Sequence, residues 1–377
     1  MLSLSEGVND GKPGDGSDPA SATLLIDLLK VFARVATSVT ITQIAETAGV
    51  STATVDRVLN KRPGVNPATV QRVRDAMKEL GGAVPMRGRP RSTDSYRFAF
   101  VLPAARRGFF DLVDRVIAQA AGDFRHQHIT EVTRRMPAND PATFAEELTR
   151  LSDMDGIALL APDTPAVKLA VNELVRAGVH VVTLFSDVPG SMRETYIGAD
   201  NRAAGRTAGL LLGREAPAGQ GHCALLSPAT RYAAEIDRGI GFAQVLQERF
   251  AGARLLRVDD MPESEDEAYR RAREALDPKA TGARLTAVYN VGPGSHGVQR
   301  ALAEHGYDSS LGVVAHDLLD VHRAMLISGA LTFVLHQDVH YAVTTAARVL
   351  RALCEGVRGA LAVSNPRVDI LTAENLA

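Results

Sequence analysis

Residues 40–60 read TITQIAETAGVSTATVDRVLN. Apolar or small residues fall at Ile41, Ile44, Ala45, Ala48, Val50, Val55 and Val58, at helical spacing on both sides of Gly49. This pattern predicts two short helices joined by a tight turn. Ala45 is small where the second helix must cross the first, and Gly49 can take the left-handed backbone of the turn without a side-chain clash. Val50 and Val55 would fill the shared core, and Ser51 or Thr52 can cap the second helix. The helix-turn-helix so formed exposes Thr52, Ala53, Asp56 and Arg57 on its second helix.

A third helix follows in VNPATVQRVRDAMKELGG (residues 65–82), with Asn66 as N-cap, Pro67 at the first helical position and Gly81 past the end. Val70, Val73, Met77 and Leu80 make one apolar stripe on it, enough to close a three-helix core. Between Val39 and Arg91 stand nine Lys or Arg residues against four acids, whereas the whole chain carries a net charge of -2. A basic head on a mildly acidic body fits a head that meets phosphates.

The run VTITQIAETAGVSTATVDRVLN followed by VNPATVQRVRDAMKELG resembles the lactose-repressor/galactose-repressor (LacI/GalR) family of bacterial transcription factors, and the body to about residue 370 is similar to the periplasmic sugar-binding-protein fold that such repressors carry. The resemblance implies that Thr52, Ala53 and Arg57 read base edges in the major groove. It also implies that Thr40, Ser51, Thr54 and Asn60 touch phosphates. Asp56 departs from the family, which usually has Ser there. A carboxylate at that place must accept from a cytosine amino group or pair with a neighbour such as Arg57 or Arg62.

The hinge departs as well. Family members usually place a short helix here and push a Leu into the minor groove. Gly88 and Pro90 oppose that helix, and no Leu lies between Gly81 and Phe100. Arg87, Gly88, Arg89 and Pro90 instead resemble the core of an AT-hook, an extended segment whose arginines enter narrow minor grooves. A plain linker carrying arginines is the competing reading of Arg87 and Arg89.

From Tyr96 onward apolar strands alternate with helical stretches. Strands are expected at RFAFVLP, HITEVTR, DGIALLAP, HVVTLFS, HCALLSP, ARLLRV, LTAVYNV, GVVAHD and LTFVLHQ. Helices are expected near 109–122, 141–151, 165–177, 201–213, 235–249, 264–277, 296–305 and 338–355. Strand–helix–strand order argues doubly wound parallel sheets in two α/β subdomains, and ligands in such folds bind beyond the carboxyl ends of the strands. The residues there are Phe109, Phe110, Phe185, Asp187, Arg238, Asn290, Asp317 and Gln337. Aromatic faces suit the C–H side of a sugar ring, and Arg, Asp, Asn and Gln suit its hydroxyls.

The family resemblance implies the same roles: the aromatic pair of RRGFF stacks on the ring, Arg238 and Asp317 grip the effector, and Gln337 follows the last strand. Phe185 and Ser186 replace the Asp-Arg pair typical of ribose binders, Ala161 stands where they carry a polar ligand, and Asn290 falls one residue ahead of the usual Asn. These departures do not support a common pentose. The pocket is expected to take a small polar metabolite, and a polyol, cyclitol, sugar acid or modified sugar fits as well.

Other signals are weaker. GPGSHG at 292–297 is a G-x-G-x-x-G, but it lies late in the chain and its next strand ends at Asp317, so no nucleotide cofactor is expected. No nucleophile–base set is found, so no enzyme is expected. The ten His residues show no paired metal spacing, and His336 and His340 have no third ligand, so no metal is expected. Cys223 and Cys354 read as buried thiols in a reducing compartment. No signal peptide or membrane span is read.

The expected organisation is a disordered tail at 1–23, an extra helix at 24–38, the all-α helix-turn-helix head at 39–82, a hinge at 83–95, and an effector-binding and dimerisation domain at 96–377. The expected protein is a cytoplasmic transcription regulator, a repressor by its family, that binds double-stranded operator DNA as a homodimer under control of a small polar effector, with no cofactor and no membrane partner. A small-molecule-binding protein or enzyme on the same α/β body without a DNA role is the alternative.

Overall fold

The computed structural model describes residues 41–59, 64–80, 95–105, 108–137, 139–215, 221–229, 232–357 and 363–376. The tail, the extra helix, most of the hinge, and Thr40, Asn60, Arg87 and Arg89 lie outside the described residues. The chain divides into two compact units, residues 1–89 and 90–377.

In the first unit, helices α1 (Ile41–Ala48), α2 (Thr52–Leu59) and α3 (Pro67–Glu79) enclose a core of Ile44, Ala45, Ala48, Val55, Val73 and Ala76. Gly49 has the left-handed backbone the turn requires, with φ of 63°. Ser51 caps α2, since its hydroxyl oxygen accepts from the Thr54 amide at 3.2 Å. Asn66 caps the third helix through the Ala68 amide at 2.9 Å. On α3 the innermost residues are Val73 and Ala76, with Met77 and Leu80 half-buried beside them.

The second unit holds two sheets. The first lobe is built from β1 (Tyr96–Pro103), β2 (Ile129–Met136), β3 (Gly156–Leu159), β4 (His180–Leu184) and β5 (Thr195–Ile197), all parallel in the order β2-β1-β3-β4-β5. The second contains β6 (His222–Pro228), β7 (Arg254–Met261), β8 (Ala287–Asn290), β9 (Gly312–His316), β10 (Phe333–Gln337) and β11 (Val368–Leu371), ordered β11-β10-β9-β8-β6-β7. Only the β10/β11 pair in this sheet is antiparallel.

Helices cover both faces of each sheet, which is why the strands read as continuous apolar runs. On the first sheet α4 (Gly108–His126) and α13 (Val339–Cys354) pack on one face, and α5 (Pro141–Thr149) and α6 (Pro165–Arg176) on the other. On the second, α7 (Asn201–Glu215) and α8 (Ala233–Arg249) cover one face. The other takes α9 (Glu265–Ala275), α11 (Ser295–Glu304) and α12 (Asp320–Ile327), with the four-residue α10 (Pro278–Thr281) following α9.

The chain crosses between lobes three times: from β5 to α7, from β10 to α13, and from α13 back to β11. All nine expected strands and eight expected helices are present. The strands β5 and β11 and the helices α10 and α12 were not expected. The first two are three and four residues long. Helix α12 starts behind Leu319, which supplies no side-chain cap, so no local start signal marks it.

Helices α7 and α8 pack at near-contact distance. A Cβ at Gly205 would lie 1.9 Å from the Arg238 carbonyl oxygen, and one at Gly241 would lie 2.2 Å from that of Arg202. The GPGSHG glycines are used in the same way: Gly292 lies against Pro228, Gly294 has φ of 82°, and a Cβ at Gly297 would reach the Glu265 carbonyl oxygen at 2.1 Å. Close helix packing accounts for that motif.

Candidate functional site

The carboxyl ends of both sheets face a cavity of about 490 Å³. Phe109, Phe110 and Phe185 reach it from the first lobe, and Arg238, Asp317 and Gln337 from the second. Six of the eight residues read from strand ends therefore converge on one cleft. Its volume suits a small ligand.

The aromatic wall is built edge to face. Phe109 and Phe185 have ring centroids 5.2 Å apart with an interplanar angle of 87°. Phe110 continues the wall to Tyr232 of the second lobe, at 6.2 Å. Further contacts join the lobes around the cavity. The Ser186 hydroxyl oxygen accepts from the Ala234 amide at 3.3 Å. Arg115 on α4 stands 3.9 Å from Asp320 on α12, and Gly108 lies against Leu319.

Arg238 is 8 % exposed. Its Nε donates to Asn201 Oδ1 at 2.8 Å, and Nη1 donates to the Val291 carbonyl at 3.4 Å. Asn201 in turn donates to the Phe185 carbonyl, so one buried amide links the crossover before α7, the end of β4 and the arginine of α8. Tyr196 hydroxyl donates to the Phe185 and Ala199 carbonyls at 3.1 and 2.9 Å. Burial raises the pKa of that phenol and keeps it a donor.

Asp317 is 5 % exposed, and its carboxylate accepts from Gln337 Nε2 at 3.2 Å. Behind it, His316 Nε2 pairs with the Tyr289 hydroxyl. Burial first, then the positive charge of Arg238, hold the His316 pKa well below the usual histidine value. His322 is buried too and its pKa is lowered, chiefly by burial. Both rings are neutral near pH 7 and add no charge to the cleft.

Two predicted residues do not line the cavity. Asp187 accepts from Thr183 Oγ1 at 2.7 Å, from the Val188 amide at 2.8 Å, and from Arg193. Burial acts to raise its pKa, but the bonds from Arg193 and Thr183 outweigh that and hold the carboxylate below its ordinary value. Asn290 is 2 % exposed and donates to the Pro293 carbonyl and to Ser295 Oγ, so it braces the wall from behind. Residue reading missed Asn201, Tyr232, Ser295, His316 and His322. Only Ser295, at a helix start beyond a strand end, carried a local signal.

On the head, Thr52, Ala53 and Arg57 are exposed on α2. Ser51 Oγ lies 2.9 Å from Thr54 Oγ1, so these two residues are tied to each other at the helix start. Among the described residues no group of three His, Cys, Asp or Glu side chains is placed to hold a metal ion. No described helix is long and apolar enough to cross a membrane.

Residues 40–81 match the family described as bacterial regulatory proteins, lacI family. Residues 98–357 match the periplasmic binding protein domain. None of the curated protein sequences compared with the chain matches it. Among solved structures, a solute-binding protein from Burkholderia graminis in complex with D-arabinose is similar, with 22 % identity, 75 % of this chain and 96 % of that one covered, and a TM-score of 0.67. Another is GanP, a glucose-galactose binding protein from Geobacillus stearothermophilus, at 20 % identity over 75 % of this chain and 99 % of its own, with a TM-score of 0.66. A Bacteroides fragilis protein described as a LacI transcriptional regulator aligns at 18 % identity over 75 % and 98 %, with a TM-score of 0.66. These likenesses carry the fold. With its head at 40–81 and its body at 98–357, the chain belongs to the lacI family of bacterial regulatory proteins, carrying a periplasmic-binding-protein domain as its ligand-binding part.

Proposed function

We propose that a small polar effector, a sugar, polyol or cyclitol, binds in the cleft between the two lobes and sets the affinity of the head for its operator. The observation that carries this reading is the meeting of the Phe109–Phe185 aromatic wall with Arg238, Asp317 and Gln337 in one cavity. Rings supply an apolar face for C–H groups, and the buried polar groups supply both donors and acceptors. The D-arabinose and glucose-galactose binders that share the fold support the same ligand class.

In this reading the three crossovers act as the hinge. A ligand that touches both lobes favours one lobe angle by its differential affinity for the two states, and the operator affinity shifts by the same coupling. The protein acts in the cytoplasm as a homodimer on a pseudo-palindromic operator, because one head alone buries too little surface for tight specific binding. Thr52, Ala53 and Arg57 read bases, Thr40, Ser51, Thr54 and Asn60 hold phosphates, and Arg87 and Arg89 enter the minor groove.

Fluorescence anisotropy with DNA from the gene's own upstream region tests the reading. A preference of at least a hundredfold over random DNA is expected at physiological salt, well within the range of specific binders. Arg57→Ala should reduce that preference, and members of a sugar and cyclitol panel should change the affinity of the wild type. Equal affinity for both DNAs would remove the operator role.

A further inference from the structure

Hydrogen-bond bookkeeping fixes the polarity of one sector of the cleft, that formed after β8, β9 and β10. His322 Nδ1 lies 2.7 Å from the Asp317 carbonyl oxygen. A carbonyl can only accept, so the ring proton sits on Nδ1. The ring is neutral near pH 7 because burial lowers its pKa, and Nε2 is left as an acceptor. Ser295 Oγ stands 2.8 Å from that nitrogen and must donate to it. The Asn290 amide is oriented by the Pro293 carbonyl, 3.2 Å from Nδ2, and the same nitrogen donates to Ser295 Oγ at 3.0 Å. Ser295 thus has its proton committed to His322 and one lone pair to Asn290. One lone pair remains, on a residue that lines the cavity.

Gln337 repeats the pattern. Its Nε2 is turned to the Asp317 carboxylate at 3.2 Å, which fixes the amide, and Oε1 is buried with no donor among the described residues. No Lys, Arg or His nitrogen among the described residues forms an ion pair with Asp317, although this carboxylate is itself buried and lines the cleft.

Resting on the effector reading of the cleft, we propose that Ser295 Oγ, the Asp317 carboxylate and Gln337 Oε1 meet the ligand as acceptors. Ser295 is a specificity-determining contact, and His322 is the positioning residue that fixes the direction of its hydroxyl. The effector is then a molecule with hydrogen-bond donors, hydroxyl or amine N–H groups, on the edge that meets Ser295, Asp317 and Gln337. An edge of carboxylate, phosphate, ketone or ether oxygens is rejected there, because buried acceptors would face acceptors.

Two measurements on the full chain test this. The first is a ¹⁵N spectrum of histidine-labelled protein at pH 7.5, with His322→Gln to assign the resonances. A protonated Nδ1 and a bare Nε2 are expected for His322; a bare Nδ1, or a doubly protonated ring, overturns the proposal. The second is a binding panel of D-arabinose, D-galactose, D-glucose and myo-inositol with their monodeoxy and monodeoxyfluoro counterparts. Fluorine replaces the hydroxyl with an atom that cannot donate. For a parent that binds, at least one position should lose tenfold or more in affinity on deoxygenation and equally on fluorination. Ser295→Ala should shrink the loss at one such position, and Ser295→Thr should restore it. Fluorinated analogues that bind as well as the parent at every position overturn the proposal. A panel in which nothing binds removes the sugar-like effector reading and the ligand part of the proposal with it, while the histidine spectrum still decides the hydroxyl direction.

Discussion

Phe185 and Asp317 are each the first residue beyond a strand, β4 and β9, and each holds a left-handed backbone, with φ of 58° and 62°. In the orders β2-β1-β3-β4-β5 and β7-β6-β8-β9-β10 the two strands occupy matching places. The lobes therefore put an aromatic ring and a carboxylate at equivalent points of the cleft, each on a conformation that costs a non-glycine residue on the order of 1–3 kcal/mol. Such a conformation persists only where the surroundings impose it.

Asp317→Asn separates the shape of this site from its chemistry. Asparagine tolerates the left-handed backbone, and its Oδ1 can still accept from Gln337. Its Nδ2 then offers a donor where the carboxylate offered an acceptor. Folding stability should change by no more than about 1 kcal/mol, the scale of one ordinary hydrogen bond, while effector affinity falls by roughly 10- to 100-fold, because hydrogen bonds to charged groups contribute about 1.5–3 kcal/mol. Urea unfolding and a ligand titration on the same variant check both halves.

Arg238 is held by Asn201, and that bond predicts an energetic coupling between α7 and α8. Arg238→Lys keeps the charge but loses the planar fork. It leaves Asn201 Oδ1 buried without its partner, at a cost of about 1–3 kcal/mol. In a double-mutant cycle with Asn201→Ala, the coupling should exceed about 0.5 kcal/mol, the usual error of additivity between independent sites. Additive losses would show that the pair does not act together.

Glycines give a sharper test, since one substitution has opposite signs at two places. In α7, a Cβ at Gly205 would overlap the Arg238 carbonyl at 1.9 Å. Backbone cannot yield as a side-chain tip can, so Gly205→Ala should destabilise by about 1–3 kcal/mol or more and weaken effector binding by moving Arg238. In α4, a Cβ at Gly122 would meet nothing within 4 Å. Gly122→Ala should therefore stabilise by about 0.5–1 kcal/mol through helix propensity alone. Melting curves of the two variants suffice.

Much of this architecture was legible in the sequence because its signals are local. Buried parallel strands are continuous apolar runs, and the Gly49 turn, the Ser51 cap and the Asn66 cap are each written in two or three residues. Strand ends then located Phe109, Phe110, Phe185, Arg238, Asp317 and Gln337, since topology alone places such ends at the cleft. What stayed hidden depends on contacts distant in sequence. Asp187 stands at a strand end like the others, but Arg193, six residues on, captures its carboxylate. Asn201 reads as an ordinary helix start, and only the fold brings it to Phe185 and Arg238. His316 and His322 gain their roles from burial, which periodicity does not report at single residues. Short β5 and antiparallel β11 lack the length that makes a strand visible.

The buried histidines also set how stability responds to acid. In the unfolded chain His316 and His322 take up protons near the ordinary histidine value of about 6.5. In the fold both pKa values are depressed, chiefly by burial. The unfolded state therefore binds more protons as pH falls below about 6.5, and stability is lost in that direction while being fully present above it. The slope should approach about 1.4 kcal/mol per pH unit for each ring that stays neutral in the fold. Asp187 acts in a separate, lower window: its depressed pKa contributes stability above the ordinary carboxylate range, lost only as pH falls through its folded value. Urea midpoints should hold nearly level from pH 7.5 to about 6.5 and then fall toward pH 5.5 in the wild type, before any carboxylate loss begins. The double variant His316→Asn/His322→Gln, whatever its absolute stability, should show a flatter profile over that interval. An unchanged slope would mean that other groups carry the proton uptake.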